Sequence, residues 1–354
     1  MMKKRVAVAM SGGVDSSFAA LLLQRQGYEV IGITMKVCLD SNEEKPSSSY
    51  FSVEDAKRVA QKLKIPHYLL DLQVSFEKEV IQNFCLEYLK GRTPNPCIVC
   101  NQKIKFGYLL KKAKELSADY LATGHYARIE HNKLKKRYIL KKGKDLKKDQ
   151  SYFLFSLSQD QLKSSLFPLG DWTKDEVKKM AKEFNLRVHD KKASQEICFI
   201  PDNDYHRFFK ERFPQKIKPG PILNKEGNIQ GYHQGIPLYT VGQRRGLGIS
   251  SHFPLYVLSI EAKKNALIVG EDKDLYRDSL IADKLNFVSI KGLTSPLKVK
   301  VRIRYIHQEA EAVISPLARD RVKVKFLRPQ RAITPGQSVV FYDQDIVLGG
   351  GIIE

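Results

Sequence analysis

The residues able to do chemistry lie in two cysteine-bearing stretches and one Gly/Ser loop. In NPCIVCN, residues 95–101, Cys97 and Cys100 stand three apart behind Pro94 and Pro96. The prolines stop any preceding helix and stiffen the approach. A helix starting just after them would put both thiols on one face of its first turn. A helix N-terminus makes a thiolate available, and Lys103 and Lys105 add to that. Such a pair serves as half a zinc site, a redox couple or the home of a reactive thiol. Zinc needs two further ligands at a suitable spacing; no second Cys-x-x-Cys follows, and His125 and His131 are isolated. A thioredoxin-type couple belongs at the start of a βαβ unit, which this stretch is not. Cys198, in SQEICFIPD (194–202), can meet Cys100 only through the fold. Cys38 and Cys85 read as inert core thiols. An odd set of five cysteines in 354 residues is no secreted disulfide framework.

The loop is AMSGGVDSS, residues 9–17. It matches neither the Walker pattern nor G-x-G-x-x-G, yet it holds the parts of an anion cradle. Gly12 and Gly13 admit close backbone approach, Ser11, Ser16 and Ser17 offer hydroxyls, and a following helix would point its positive end at a ligand. Asp15 repels a bare phosphate but suits Mg²⁺ beside it.

These residues need a scaffold. RVAVAM (5–10) is an apolar run fit for a strand covered on both faces. SFAALLLQRQ (17–26) has helical spacing and stops at Gly27. EVIGITM (29–35), HYLLDL (67–72) and DYLATG (119–124) read as further strands, with helices over 53–64, 75–90 and 103–116 between them. Alternation of this kind predicts a doubly wound parallel α/β sheet with ligands at the carboxyl ends of its strands. The loops after Met10, Met35 and Thr123 are therefore the places to look. Thr173 and Glu176 form a capping box that starts a helix over 172–184.

Beyond about residue 215 Gly and Pro become frequent and apolar runs short. After about 280 the alternation is β-like, in KVKVRIRYI, RVKVKFL and QSVVFYDQDIVLGG, as in a small barrel or sandwich. The expected domains are 1–208, 209–278 and 279–354: the parallel α/β sheet, a small mixed central domain and a C-terminal β-barrel. No stretch is apolar for long enough to span a membrane. The basic start MMKKRVAVAM meets Gly12 too soon for a signal peptide, so a cytoplasmic protein is expected.

The 60 Lys and Arg against 39 Asp and Glu give a net charge of +21, which favours a polyanion or an anionic membrane surface as partner. Residues 131–148 hold nine Lys or Arg and one Asp, a basic surface hairpin. In 298–304, Lys298, Lys300, Arg302 and Arg304 would line one strand face and Val299, Val301 and Ile303 the other. Phosphate tracking along RNA fits both stretches. Tyr126, Tyr152 and Phe153 are either stacking partners for bases or core residues.

SGGVDSS resembles the phosphate loop of the PP-loop ATP pyrophosphatase family. That resemblance implies cleavage of ATP between its α- and β-phosphates, AMP activating a substrate oxygen and pyrophosphate leaving. Such a loop with two separated cysteines suggests sulfur transfer, one carrying a persulfide and the other resolving it. The chain further resembles the tRNA 2-thiouridylase family over nearly its whole length, in AMSGGVDSS, GRTPNPCIVCN, IKF, ATGHYAR, KDQSYFL, FPLG, ICFI, TVGQRRGLGI and TPGQSVVFY…VLGGGIIE. This implies ATP-dependent conversion of the wobble uridine of tRNA for Lys, Glu and Gln into 2-thiouridine, the base flipped from its stack. It implies ATP and Mg²⁺ as cofactors, and a cysteine desulfurase or sulfur-relay protein as donor. By motif, Ala9, Met10, Ser11, Gly12, Gly13, Val14, Asp15, Ser16, Met35 and Gly124 match the ATP site. Cys100 matches the nucleophile and Cys198 the persulfide carrier. Asn95, Pro96 and Cys97 match the segment near the target base; Lys148, Asp149, Gln150, Arg304 and Tyr305 match tRNA contacts.

Two departures stand out. Many members carry Asp where this chain has Cys97, and many carry Ser-Thr-Gly where it has SQE before Ile197. A third thiol also opens a metal reading, in which Cys97, Cys100 and Cys198 hold an iron–sulfur cluster with one open iron. The rivals are a PP-loop ligase acting on a small metabolite, a sister tRNA enzyme such as a lysidine synthetase or another thiolase, and a non-catalytic RNA-binding module. The charge, the GRTPNPCIVCN…ICFI pair and the intact loop argue against them in turn.

Overall fold

The structure, a computed structural model, describes residues 3–37, 48–186, 197–318 and 320–354, with the backbone alone for 48–52. Cys38 and the SQE at 194–196 lie outside the described residues. The chain forms two compact units. One holds residues 1–80, 97–199 and 345–348; the other holds 81–96, 200–344 and 349–354.

The first unit is built on a five-stranded sheet in the order His67–Asp71, Glu29–Lys36, Arg5–Ala9, Tyr120–Ala122, Ser165–Leu166, every neighbouring pair parallel. This is the expected doubly wound sheet, with an edge strand at 165–166 that periodicity did not reveal. The order reverses at Arg5–Ala9, so the crevice between its end and that of Tyr120–Ala122 is the topological switch point. Helices Val14–Arg25, Ser48–Leu63 and Lys174–Glu183 belong to this unit. Val6, Val8, Phe18, Leu23, Val59 and Val177 are buried in one cluster, with Trp172 edge-on to Phe18 at 5.1 Å. The basic stretch folds as a hairpin, Ala127–Asn132 with Arg137–Lys142, and Ile346–Val347 pair with its second strand.

The second unit holds two β structures. A four-stranded sheet orders Tyr256–Glu261, Ala266–Gly270, Gly220–Leu223 and Ile229–His233. Tyr276–Asn286, Arg321–Arg331, Ala310–Leu317, Leu297–Arg302, Ser338–Asp343 and residues 349–353 of the last strand then form a barrel, closed by pairing of the first with the last. Val299, Val301, Ile303, Ile314, Val324 and Phe341 fill its interior. Helices Gln82–Leu89 and Tyr205–Arg212 join through aromatics, Phe84 on Phe209 at 5.9 Å and Tyr88 on Phe209 at 5.4 Å. Cys85 is buried there, as a core thiol.

Candidate functional site

The Gly/Ser loop joins Arg5–Ala9 to the helix Val14–Arg25 at the switch point. Gly12 has φ +68°, a left-handed turn that a side chain resists. Gly13 caps the helix in an extended conformation, and its carbonyl accepts from Ser16 Oγ at 3.1 Å and Ser17 Oγ at 2.9 Å. Ser11 N donates to Ser16 Oγ at 3.1 Å. The serine hydroxyls thus tighten the turn that exposes the helix's positive end. Met10 is buried, its N–H given to Ile33 O at 2.8 Å and its carbonyl accepting from Thr34 Oγ1 at 2.8 Å.

Met35 and Gly124 fall at the same end of the sheet. Ala9 is opposite Ile33 and Val8 opposite Ala122, so Met35 and Gly124 lie just beyond the level of the loop. Gly124 presses against the helix start: a Cβ there would stand 3.0 Å from Ser16 N.

Asp15 is already engaged. Lys174 Nζ donates to both carboxylate oxygens at 2.7 Å, and Tyr126 Oη donates to Oδ1 at 2.7 Å. Burial first, then the charge of Asp15, pushes the Tyr126 hydroxyl far above the usual phenol range, so it remains a donor. Lys174, 159 residues away in sequence, was not expected at the loop. As the carboxylate within 9–17, Asp15 fits a Mg²⁺ carried by phosphates.

Cys97 and Cys100 sit where the prolines predict. The helix opens at Pro96, the position at which proline's missing N–H costs nothing. From Cys100 to Leu109 it takes the wider π register, then returns to α through Glu115. The residues 150–161 clamp this segment. Asn101 Nδ2 donates to Phe153 O at 3.1 Å and Gln102 Nε2 to Ser156 O at 3.2 Å. Gln161 Nε2 returns donors to the carbonyls of Gln102 at 2.9 Å and Phe106 at 2.8 Å. A π segment marks functional positions more often than chance; here side chains hold it in place.

Cys97 is at the surface and Cys100 half-exposed. Desolvation by neighbouring chain raises the Cys97 thiol, and Lys105 pulls it down by less. A helix start that lowers its pKa is therefore not what Cys97 experiences. Cys198 is exposed, and its neighbour Phe199 packs edge-on to Phe76 at 5.9 Å. Among the described residues no three His, Cys, Asp or Glu side chains gather as metal ligands. Cys97, Cys100 and Cys198 therefore do not fit a cluster as they stand.

The segment ahead of the cysteines is fixed within the second unit. Thr93 N donates to Pro335 O at 2.8 Å, and Gln337 Nε2 donates to Thr93 O at 2.8 Å. A Cβ on Gly336 would come within 2.8 Å of Thr93 N. GRTPNP and TPGQ, far apart in sequence, thus hold each other, and Asn95 and Pro96 follow half-exposed.

Residues 148–150 divide in role. Lys148 is exposed. Asp149 is 1% exposed, with Oδ1 accepting from Gly143 N at 3.2 Å and Ser151 N at 3.1 Å, and Oδ2 from Ser151 Oγ at 3.0 Å. Gln150 Oε1 accepts from Tyr126 N at 3.0 Å while its own N–H goes to Tyr126 O at 2.9 Å. Tyr126 and Tyr152 are core residues and Phe153 is half-buried.

In the barrel the strand ends at Arg302, shorter than its charge alternation implies. Lys298 and Lys300 are exposed. Arg302 pairs with Glu309 at 2.9 Å and lies over the Tyr342 ring, and Arg304 Nη2 donates to the carbonyls of Arg331 at 2.7 Å and Ala332 at 3.2 Å. The row of four cations on one face is thus two solvent-facing lysines followed by two anchored arginines. A groove of about 770 Å³ beside them is lined by Lys300, Arg304, His307, Arg328 and Gln330, with Glu309 and Glu311 at its acidic side. Tyr305 is half-exposed.

Comparison with known proteins agrees with this architecture. Residues 4–202 match the family model described as a tRNA methyl transferase HUP domain, 206–271 a tRNA methyl transferase PRC-barrel domain, and 277–353 an aminomethyltransferase beta-barrel domain. The tRNA-specific 2-thiouridylase MnmA of Halothermothrix orenii is 55% identical over 354 residues, 99% of each chain. MnmA 1 of Caldanaerobacter subterraneus subsp. tengcongensis is 54% identical over 99% of this chain and 98% of its own. A solved U34-tRNA thiolase NcsA from Methanococcus maripaludis, with its [4Fe-4S] cluster, covers 61% of this chain and 69% of its own at 19% identity, with a TM-score of 0.36.

Proposed function

The chain belongs to the MnmA tRNA-specific 2-thiouridylase family, and from that membership we propose how its residues divide the work of a tRNA-uridine 2-sulfurtransferase. The loop at Ala9–Ser16, with Met35 and Gly124, binds ATP, Asp15 serving the Mg²⁺ that accompanies it. The wobble uridine of tRNA for Lys, Glu and Gln is flipped toward Asn95, Pro96 and Cys97. Its 2-oxo group attacks the α-phosphate, pyrophosphate leaves, and the base carries AMP.

Sulfur arrives as a persulfide on Cys198, loaded by a cysteine desulfurase or sulfur-relay protein. The terminal sulfur attacks C2 and displaces AMP. The Cys100 thiolate then attacks Cys198 Sγ, forming the Cys100–Cys198 disulfide and releasing 2-thiouridine. An external thiol reductant restores both cysteines. Lys148, Arg304 and Tyr305 contribute to tRNA binding, Arg304 through the shape of its groove, while Asp149 and Gln150 hold their loop. The protein works in the cytoplasm.

The observation that carries this reading is the anion-binding loop at the switch point, in one unit with a half-exposed Cys100 on a braced helix and an exposed Cys198. Nucleoside analysis of tRNA incubated with protein, ATP, Mg²⁺ and a persulfide donor tests it. The expected result is loss of uridine at the wobble position with gain of 2-thiouridine. Modification at another position moves the chain's activity to that of a sister family.

A further inference from the structure

We propose that Lys174 is a phosphate-binding residue of the ATP loop, held beside it by Asp15 for the β- and γ-phosphates that leave as pyrophosphate. The loop has no Walker lysine of its own. Lys174 nonetheless delivers an ammonium group to it, at 2.7 Å from each Asp15 oxygen. Its backbone is pinned as well: Lys174 N donates to Asp145 Oδ2 at 3.0 Å, and Thr173 caps the helix that Lys174 begins.

Helix stability does not account for this lysine. A cation in the first turn faces the positive end of its own helix and is unfavourable there. Asp15, in the first turn of the loop helix, is favourable for that helix but repels phosphates. Lys174 cancels that repulsion while nucleotide is absent. The pair is part-exposed, 19% for Lys174 and 33% for Asp15, so both groups remain within reach of an arriving ligand. Phosphates and their Mg²⁺ bring a partner for each member, the anion for Lys174 and the metal for Asp15. Tyr126 Oη, also on Asp15 Oδ1, keeps the carboxylate oriented when the lysine turns away.

The inference rests on reading residues 9–16 as an ATP loop. Titration calorimetry without tRNA, on wild type and Lys174→Met, separates the two. Wild type that binds neither ATP–Mg²⁺ nor pyrophosphate–Mg²⁺ overturns both. Given wild-type binding, the variant is expected to weaken ATP and pyrophosphate at least tenfold while AMP stays within twofold. Unchanged pyrophosphate affinity, or equal loss for all three ligands, overturns the role of Lys174 alone. Should the variant not fold, amine acetylation of wild type followed by peptide mass spectrometry decides. Pyrophosphate–Mg²⁺ is expected to shield Lys174 and AMP is not; labelling of Lys174 that ignores pyrophosphate overturns the proposal.

Discussion

Gly124 stands so close to Asp15 that a Cβ on it would lie 3.0 Å from the Asp15 Cβ. The exit of the strand Tyr120–Ala122 and the start of the loop helix therefore share one tight corner. A methyl group at that position must push the helix's first turn, because the atoms it meets include the Asp15 backbone carbon and Ser16 N. Gly124→Ala is expected to cost about 1–3 kcal/mol of stability, the range for overpacking a filled site. It is expected to weaken ATP binding about tenfold. Urea unfolding and ATP titration check the two effects, and wild-type values in both would show that the corner is loose.

The three chemically placed thiols should separate by role. Cys100→Ser and Cys198→Ser are expected to abolish thiolation and leave tRNA binding intact, because each removes a sulfur that must be broken or joined. Cys97 is different: its thiol is pushed up by desolvation and stays protonated at neutral pH. Cys97→Ser is expected to keep thiolation within severalfold. Non-reducing mass spectrometry after one turnover should find the Cys100–Cys198 disulfide in wild type. Its absence, with product formed, would refute the resolving role of Cys100.

The loop 143–151 offers a paired test. Asp149→Ala strips the acceptor from two backbone N–H groups and one hydroxyl. Leaving such buried donors unpaired costs about 1–3 kcal/mol each, so about 3 kcal/mol or more of lost stability is expected. Lys148→Ala should leave the melting temperature unchanged and weaken tRNA binding. Stability that does not respond to Asp149→Ala would return Asp149 to the tRNA-contacting role its motif implies.

Much of the scaffold was legible because its signals are local. The Thr173–Glu176 box spans four residues and appears as read, with both reciprocal hydrogen bonds. The parallel sheet followed from alternating apolar runs. The π register at Cys100–Leu109 was not legible, since ten residues cannot distinguish the wider helix from an α-helix by apolar spacing. Asp149 was read by motif as a tRNA contact; its burial is set by Gly143 and Ser151 folding back around it. The face of Lys298 and Lys300 was legible from alternation, but the capture of Arg302 depends on Glu309 across a turn. Lys174 reaches Asp15 only because two helices of one layered core meet.

The barrel's cations should therefore divide. Lys298→Ala and Lys300→Ala are expected to lower tRNA affinity and to flatten its salt dependence. Each phosphate left without its lysine takes about 0.7–0.9 off the slope of log K against log salt. Arg302→Met is expected to lower stability, because it takes the guanidinium charge away from part-buried Glu309. Affinity measured from about 50 to 200 mM salt, beside urea unfolding, separates the two effects. A salt slope unmoved by either lysine would remove this face from the tRNA path.

Acid sensitivity should trace partly to His125. It is 8% exposed, bonded through Nδ1 to Thr123 Oγ1 at 2.7 Å, and close to the rings of Phe106 and Phe167. Burial first and the Lys105 charge second hold it well below its ordinary value of 6.5. In the unfolded chain it protonates near 6.5 while the native state keeps it neutral. Below that pH the unfolded state binds the extra proton, so stability falls as pH falls, by up to about 1.36 kcal/mol per pH unit for one group. Above about pH 7 the imidazole has no such effect. His67, His206, His233 and His307 shift the same way, so the test is a difference. His125→Phe is expected to be less stable than wild type at about pH 8, having lost the Thr123 bond, but to lose less stability between about pH 6.5 and 5. Urea midpoints across that range measure it, and parallel curves for the two proteins would mean that His125 charges as readily in the native state as in the unfolded chain.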